Sequence, residues 1–268
     1  MIGFNHLGRH GRLGNQMFQY AALRGIAALK GYSFCIPNSD FRNEWEDHQL
    51  FLGFELPNLK KIKILPNDYY QEKQFHYDSD YVKNCPDNIS LYGYFQSEKY
   101  FKHIEDSIRE DFKFKSDIVD ACKEFFNFEE MISIHVRRTD YVSNSANHPP
   151  CPLSYYEESL KKFDSEIPVM IFSDDVGWCK CQDLFSSDRF LISEPQEKYG
   201  DGSYTPYADL CLMSLCSHAI IANSSMSWWG AWLINNPNKK VIAPKMWFGP
   251  AYADKDTKDL YSKNWIVL

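Results

Sequence analysis

The residues of this chain that could do chemistry fall into a few clusters. The first is Met131-Ile-Ser-Ile-His-Val-Arg-Arg-Thr-Asp140. Ile132, Ile134 and Val136 alternate with Ser133 and His135, which is a strand pattern. Arg137, Arg138 and Asp140 stand where that strand would end. A guanidinium keeps its charge and forks onto two oxygens at once, so it suits phosphate. Ligands of open α/β sheets bind beyond the carboxyl ends of strands. Two more clusters repeat this layout. Pro168-Val-Met-Ile-Phe172 ends in Ser173, Asp174 and Asp175, and Ala219-Ile-Ile-Ala222 ends in Asn223, Ser224 and Ser225.

Acting together, the three sets describe a site for a nucleoside diphosphate. The arginines neutralise the diphosphate, and the serine hydroxyls and helix-start amides at Ser224 and Ser225 hold further phosphate oxygens. A carboxylate such as Asp174 accepts from a guanine edge or from ribose hydroxyls. Leaving-group departure would then be helped by protein cations without a metal. Each set also has a plain structural reading. The arginines and Asp140 could be a surface ion pair, and Ser224/Ser225 and Asp174/Asp175 could cap the helices that follow.

Two weaker motifs lie upstream. Gly8-Arg-His-Gly11-Arg-Leu-Gly14-Asn15-Gln16 spaces three glycines by threes between a first strand, Met1–Leu7, and a helix, Asn15–Lys30. That is the layout of a phosphate-binding turn, but its spacing is neither G-x-G-x-x-G nor the Walker pattern. Asp78-Ser-Asp80 is a D-x-D pair, the form some nucleotide-sugar enzymes use for Mn²⁺. No buried strand precedes it to aim both carboxylates at a diphosphate, so a local structural role is favoured.

The elements that would position these residues follow from pattern. Gly31 stops the first helix. Tyr32–Ile36 and Ile89–Phe95 read as strands, and the stretch between them (37–88) resists assignment. Ser97–Ile104 reads as a helix capped by Ser97, and Ile118–Phe126 as another. Ser154–Lys162 is a helix whose Ser154 and Glu157 fit a capping box. A helix through Leu184, a strand at Phe190–Ile192, a loop at Gly200-Asp-Gly202 and a wholly apolar helix at Tyr207–Cys216 follow, the last with Asp209 in need of a partner. A helix running to Leu233 and a strand at Lys240–Ala243 complete the pattern. From Ile132 onward the alternation predicts a parallel sheet wound by crossovers. The border between two halves falls near 113–128, giving domains 1–127 and 128–268.

A length of 268 residues allows one large domain or two of ~100–150 residues. The net charge of -7 argues against nucleic acid and against a polybasic membrane surface. The high aromatic content, 16%, fits both a sugar-handling protein and a well-packed core. Eight scattered cysteines include no C-x-x-C pair, and Cys179-Lys-Cys181 is too close-set for zinc, so a reducing compartment fits. No basic-then-apolar leader opens the sequence, and no apolar run approaches the ~20 residues of a membrane span. The expectation is a cytoplasmic protein.

The ordered set of motifs resembles a known family. Gly11-Arg-Leu-Gly14-Asn15-Gln16-Met-Phe-Gln-Tyr, His135-Val-Arg137-Arg138-Thr-Asp140-Tyr, Phe172-Ser-Asp174-Asp175 and Ala222-Asn-Ser-Ser-Met-Ser-Trp-Trp-Gly-Ala-Trp232 are similar, in this order, to the bacterial α-1,2-fucosyltransferases of glycosyltransferase family 11. The resemblance implies an α/β fold of GT-B type, two Rossmann-like halves facing a cleft. The N-terminal half would take the acceptor side and the C-terminal half would bind the nucleotide sugar. It implies an inverting, metal-independent transfer from the donor substrate GDP-β-L-fucose, with no cofactor, to the 2-hydroxyl of a terminal β-galactoside. The acceptor would be a lipid-linked oligosaccharide of surface-glycan (O-antigen-type) synthesis, which is compatible with peripheral association at the inner membrane. By the same resemblance, Arg137 and Arg138 would hold the diphosphate, His135 would line the nucleotide side, Asp174 would contact guanine or ribose, and Ser224 and Ser225 would bind phosphate. Gly14 and Asn15 belong to the loop from which Asn15 would reach toward phosphate or fucose. Thr139 departs from the family's usual glycine and fits only with a negative φ. The base is left open among Asp140, His148 and the carboxylates Glu44, Glu46 and Asp47. Two rival readings are a fucosyltransferase of another linkage and a non-catalytic GDP- or glycan-binding protein.

Overall fold

The computed structural model describes residues 1–37, 50–126, 129–194 and 206–268. The chain forms two compact units, one of residues Met1–Lys115 and Lys255–Ser262, the other of Ser116–Asp254 and Lys263–Leu268. The loop at Gly200–Gly202 and the carboxylates Glu44, Glu46 and Asp47 lie outside the described residues.

The first unit contains β1 (Ile2–Gly3), α1 (Leu13–Lys30), β2 (Phe34–Cys35), α2 (Leu50–Gly53), β3 (Tyr69–Gln71), α3 (Ser79–Asn84), β4 (Ser90–Tyr92) and α4 (Glu105–Asp111). Its sheet is parallel, in the order β2-β1-β4-β3. Helix α1 is almost wholly buried. Gly31, at φ 65, ends it, and the N–H groups of Gly31 and Tyr32 close back on Ala28 and Ala27. Gly25 lets the backbone of Tyr100 and Phe101 touch the helix, since a Cβ there would lie 2.0 Å from the Tyr100 carbonyl oxygen.

Several predicted elements are shorter here. The first strand pairs only at Ile2–Gly3, and the strand expected to reach Phe95 stops at Tyr92. Gly93, at φ 158, and Phe95, at φ 54, turn the chain away from the sheet. Ser97–Ile104 is not an α-helix but two 3-10 turns, Glu98–Tyr100 and Lys102–Ile104, and α4 begins only at Glu105. The side chain of Asp78 accepts from the N–H groups of Asp80 and Tyr81 and caps α3, which is the local role favoured for this pair.

The second unit contains α5 (Ser116–Phe125), β5 (Ile132–Val136), α6 (Thr139–Ser143), α7 (Leu153–Leu160), β6 (Val169–Ser173), α8 (Val176–Lys180), β7 (Phe190–Ile192), α9 (Pro206–Leu215), β8 (His218–Ile220), α10 (Ser225–Leu233), β9 (Val241–Ala243) and β10 (Ile266–Val267). The sheet is parallel, in the order β10-β9-β8-β5-β6-β7. Read from β7 this is a Rossmann-type order, with its reversal between β5 and β8. Strands β5 and β6 are buried along their whole length, as strands covered on both faces are. The division differs from a cut at 127/128. Helix α5 packs on α9, with the Cys122 thiol against the Ala208 carbonyl, so it belongs to the second unit. Helix α7 begins at Leu153 behind Pro152, whose φ of -71 sets an extended entry. Ser154 therefore sits inside the first turn and forms no capping box. Asp209 finds the partner it needed in Ser193, 3.3 Å away. Among the described residues no helix is long and apolar enough to cross a membrane.

Candidate active site

The reversal of strand order places the ends of β5, β6 and β8 side by side. Arg137 and Arg138 leave β5 and enter α6. One carboxylate holds this turn. Asp174 accepts from the Arg138 N–H (2.9 Å) and the Thr139 N–H (3.2 Å), from the Thr139 hydroxyl, and from an Arg137 terminal nitrogen (3.1 Å). Burial alone would raise the Asp174 carboxyl. The Thr139 hydroxyl, the Arg137 charge and the Arg138 N–H outweigh it and hold the group below the usual carboxylate range. Three of the four contacts fall on Oδ2, whereas Oδ1 accepts only from the Arg138 N–H and keeps a second lone pair for a nucleotide edge. Thr139 has no positive φ and opens α6, which meets the condition set for a residue larger than glycine.

Arg137 also pairs with Asp140 at 2.6 Å and lies over the Tyr141 ring. Arg138 is held differently. Its Nε donates to Asp175 at 3.2 Å, and its guanidinium carbon lies 4.0 Å from the centre of the Trp178 ring. No described residue bonds its two terminal nitrogens. Asp175 serves twice, because its other oxygen accepts from the Trp178 N–H and caps α8. His135 is buried within β5, and its Nδ1 has no hydrogen-bond partner among the described residues. Burial, and next the Arg137 charge, push its pKa down to about 4, so the ring is neutral at neutral pH.

At the end of β8, Asn223 is fixed by bonds from its amide to the carbonyls of Pro149 and Trp247. The Tyr141 hydroxyl donates to the Asn223 carbonyl, which ties this corner to the arginine turn. Ser224 occupies the N-cap of α10, yet its side chain makes no capping bond. The first-turn N–H groups of α10 have no acceptor within the helix. Trp228, Trp229 and Trp232 bury the rest of that helix. His148 stacks on Tyr141 at 5.2 Å and is flanked by Phe248 and Tyr252.

In the first unit, Asn15 and Gly14 lie in the first turns of α1. Gly11, at φ 89, packs directly on Asn15, since a Cβ at Gly11 would strike its side chain. The Asn15 side-chain oxygen accepts from the Gln96 amide at 2.7 Å. Gln19 donates to the carbonyls of His10 and Gly93 and fixes the glycine loop to the end of β4.

The sequence matches the model of glycosyl transferase family 11 along residues 1–268. The chain belongs to glycosyltransferase family 11. It is 32% identical to an α-1,2-colitosyltransferase of Escherichia coli, over 89% of this chain and 90% of that protein. It is 28% identical to the O-antigen biosynthesis glycosyltransferase WbnK of the same organism, over 96% and 98% of the two chains. It is 24% identical to galactoside α-(1,2)-fucosyltransferase 2 of Bos taurus, over 90% and 76%. Among solved structures, the α-1,6-fucosyltransferase NodZ soaked with GDP-fucose has a TM-score of 0.54 at 16% identity, covering 87% of this chain and 92% of that one. The fold is α/β and of GT-B type.

In this glycosyltransferase the turn after β5 gathers His135, Arg137, Arg138, Asp140 and Asp174. Tyr141 links it to Ser224 and Ser225 through Asn223, and to His148 through ring stacking. Asn15 and Gly14 belong to the other unit. Sequence reasoning missed Trp178, Tyr141 and Gln96. Asp175 was placed in the polar set at this strand end and in the family motif, but its individual role was read as a cap, and its pairing with Arg138 was not expected. Its spacing beside Asp174 at a strand end was the available signal, because two adjacent carboxylates can serve two adjacent arginines.

Proposed function

We propose that this glycosyltransferase is an inverting galactoside α-1,2-fucosyltransferase. It transfers L-fucose from GDP-β-L-fucose to the 2-hydroxyl of a terminal β-galactoside on a lipid-linked acceptor, in O-antigen-type glycan synthesis. The observation that carries this reading is Arg138. A guanidinium clamped at Nε by Asp175 and across its face by Trp178, its terminal nitrogens unbonded by any described residue, is a preorganised fork for an oxyanion. Arg137 adds a second cation, and the α10 start and the Ser224 and Ser225 hydroxyls add donors. The acceptor oxygen attacks the fucose anomeric carbon from the face opposite the diphosphate. The C–O bond to phosphate breaks, and its electron pair leaves on the phosphate oxygen, where the arginines receive the charge. Neutralisation by arginine makes a metal unnecessary for departure. The acceptor proton goes to a base, for which Asp140, paired with Arg137, and His148, stacked on Tyr141, are candidates at the turn. In the reading from family resemblance, Asn15 and Gly14 bring their loop toward the sugar, the first unit serves the acceptor and the second the donor.

The 32% relative named for colitose supports a second donor reading. Colitose is fucose without its 3-hydroxyl, so the two donors differ by one hydrogen-bonding group.

The test is transfer to a panel of β-galactosides in the presence of EDTA, with GDP-fucose and GDP-colitose side by side and product linkage read by NMR. Expected is fucose on the galactose 2-hydroxyl, undiminished by EDTA, and a loss of at least about 10²-fold in turnover for Arg138→Ala. Near-wild-type transfer by Arg138→Ala sinks the assignment, and GDP binding without any turnover favours the binding-protein rival. Preference for GDP-colitose selects the second donor.

A further inference from the structure

We infer that the rings of His6, His10, Tyr69 and Tyr92 form the subsite on which the acceptor's terminal hexose stacks. Only the name of that sugar, a β-galactoside, rests on the fucosyltransferase reading.

The argument begins with topology. In the first unit, β1 pairs β2 on one side and β4 on the other, so strand order reverses between β1 and β4. The carboxyl ends of strands at such a reversal are where open α/β sheets take ligands. The chain leaves β1 through His6 and His10, and β4 ends at Tyr92. Their rings meet there. His6 and Tyr92 are 5.2 Å apart, His10 and Tyr92 4.8 Å, His6 and His10 5.3 Å, and His6 and the edge-strand Tyr69 4.8 Å.

The cluster is not core. His6, His10 and Tyr92 are partly exposed, and Tyr69 is 38% exposed. The backbone beneath it is nevertheless fixed by buried amides. Gln19 donates to the carbonyls of His10 and Gly93, and Asn5 bonds Ser90 and, twice, Leu65. A rigid, partly exposed aromatic patch loses little entropy on binding, and its ring faces suit the C–H face of a hexose. Its polar ends suit the hydroxyls. No described residue bonds the Tyr92 hydroxyl or the His10 ring, and the Tyr69 hydroxyl is steadied by Asn67. Burial, and next Arg9, lower the His10 pKa, so at neutral pH its ring offers one donor and one acceptor.

The test reads binding directly and needs no donor. Saturation-transfer NMR is recorded with methyl β-galactoside on the wild type and on Tyr92→Ala, Tyr92→Phe and Tyr69→Ala. Thermal midpoint and GDP affinity by calorimetry serve as fold controls. The expected result is strong saturation of the galactose ring protons in the wild type and in Tyr92→Phe, with at least about a tenfold weaker Kd in Tyr92→Ala. In transfer assays the acceptor KM of both alanine variants rises similarly, while donor KM stays within about twofold. No saturation in the wild type, or undiminished saturation in a folded Tyr92→Ala and Tyr69→Ala, overturns the subsite. Saturation at these rings without any transfer from GDP-fucose leaves the subsite standing and removes the fucosyltransferase reading instead.

Discussion

Two carboxylates do the same local work in the two units. Asp174 accepts from the consecutive N–H groups of Arg138 and Thr139, and Glu72 accepts from those of Tyr94 and Phe95. Each thereby shapes a turn at the carboxyl end of a strand. Against burial, the Thr139 hydroxyl, the Arg137 charge and the Arg138 N–H hold the Asp174 pKa down. Among the described residues Glu72 has no ion pair, and burial raises its pKa from 4.5 to about 7 against the pull of its two N–H partners. The buried hydroxyls of Tyr81 and Tyr100 and the charge of Lys255 are the titrating groups that face it. Between about pH 4.5 and 7 the folded state thus keeps a proton that the unfolded chain releases. The stabilisation is full below that window and is lost as pH rises through it. Glu72→Gln should abolish this slope, so its thermal midpoint relative to wild type should improve from pH 5 to pH 8. A constant difference between the two proteins would contradict it. His135, in the other unit, has the opposite sign, with stability lost as pH falls from 6.5 toward 4. At this scale the arginine pair was legible because fixed charge at a strand end has few uses. The loop-holding role of Asp174 was not legible, because it spans 36 residues and the carboxylate bonds backbone rather than any motif.

At the scale of elements, the second unit was the readable one. Its central strands β5, β6, β8 and β9 are buried along their length, β6 and β8 show as apolar runs and β5 as an alternation, and Gly31 ends α1 as expected. The first unit was harder because its strands are only two or three residues long, too short for alternation to register. The 3-10 turns at 98–104 have a cause that spacing does not reveal. Phe101 is buried against α1, where Gly25 allows backbone contact. Gly25→Ala should therefore cost about 1–3 kcal/mol despite alanine's better helix propensity, read as a lower denaturant midpoint. An unchanged or raised midpoint would show that this contact relaxes freely.

For the whole molecule, the fold class and the existence of two halves came from the βα alternation and the family resemblance. The placement of the border did not, because no linker marks it. The chain passes from the first unit to the second at 115/116, returns at 254/255 and leaves again at 262/263. The returning segment is anchored. Asp259 pairs with Lys99 at 2.5 Å, its carbonyl accepts from the Ser97 hydroxyl, and Leu260 is buried.

That return has a consequence for how the protein is made. A chain emerging from the ribosome normally completes its first domain before its second. Here the first unit waits for residues 255–262, which are synthesised after nearly all of the second. Chains arrested with 262 residues exposed should protect the Ser97–Ile104 region from protease, and chains arrested with 250 exposed should leave it open to cleavage. A nascent chain stopped at residue 254 would carry a second unit still without Lys263–Leu268 and its edge strand β10, and a first unit lacking its returning strap.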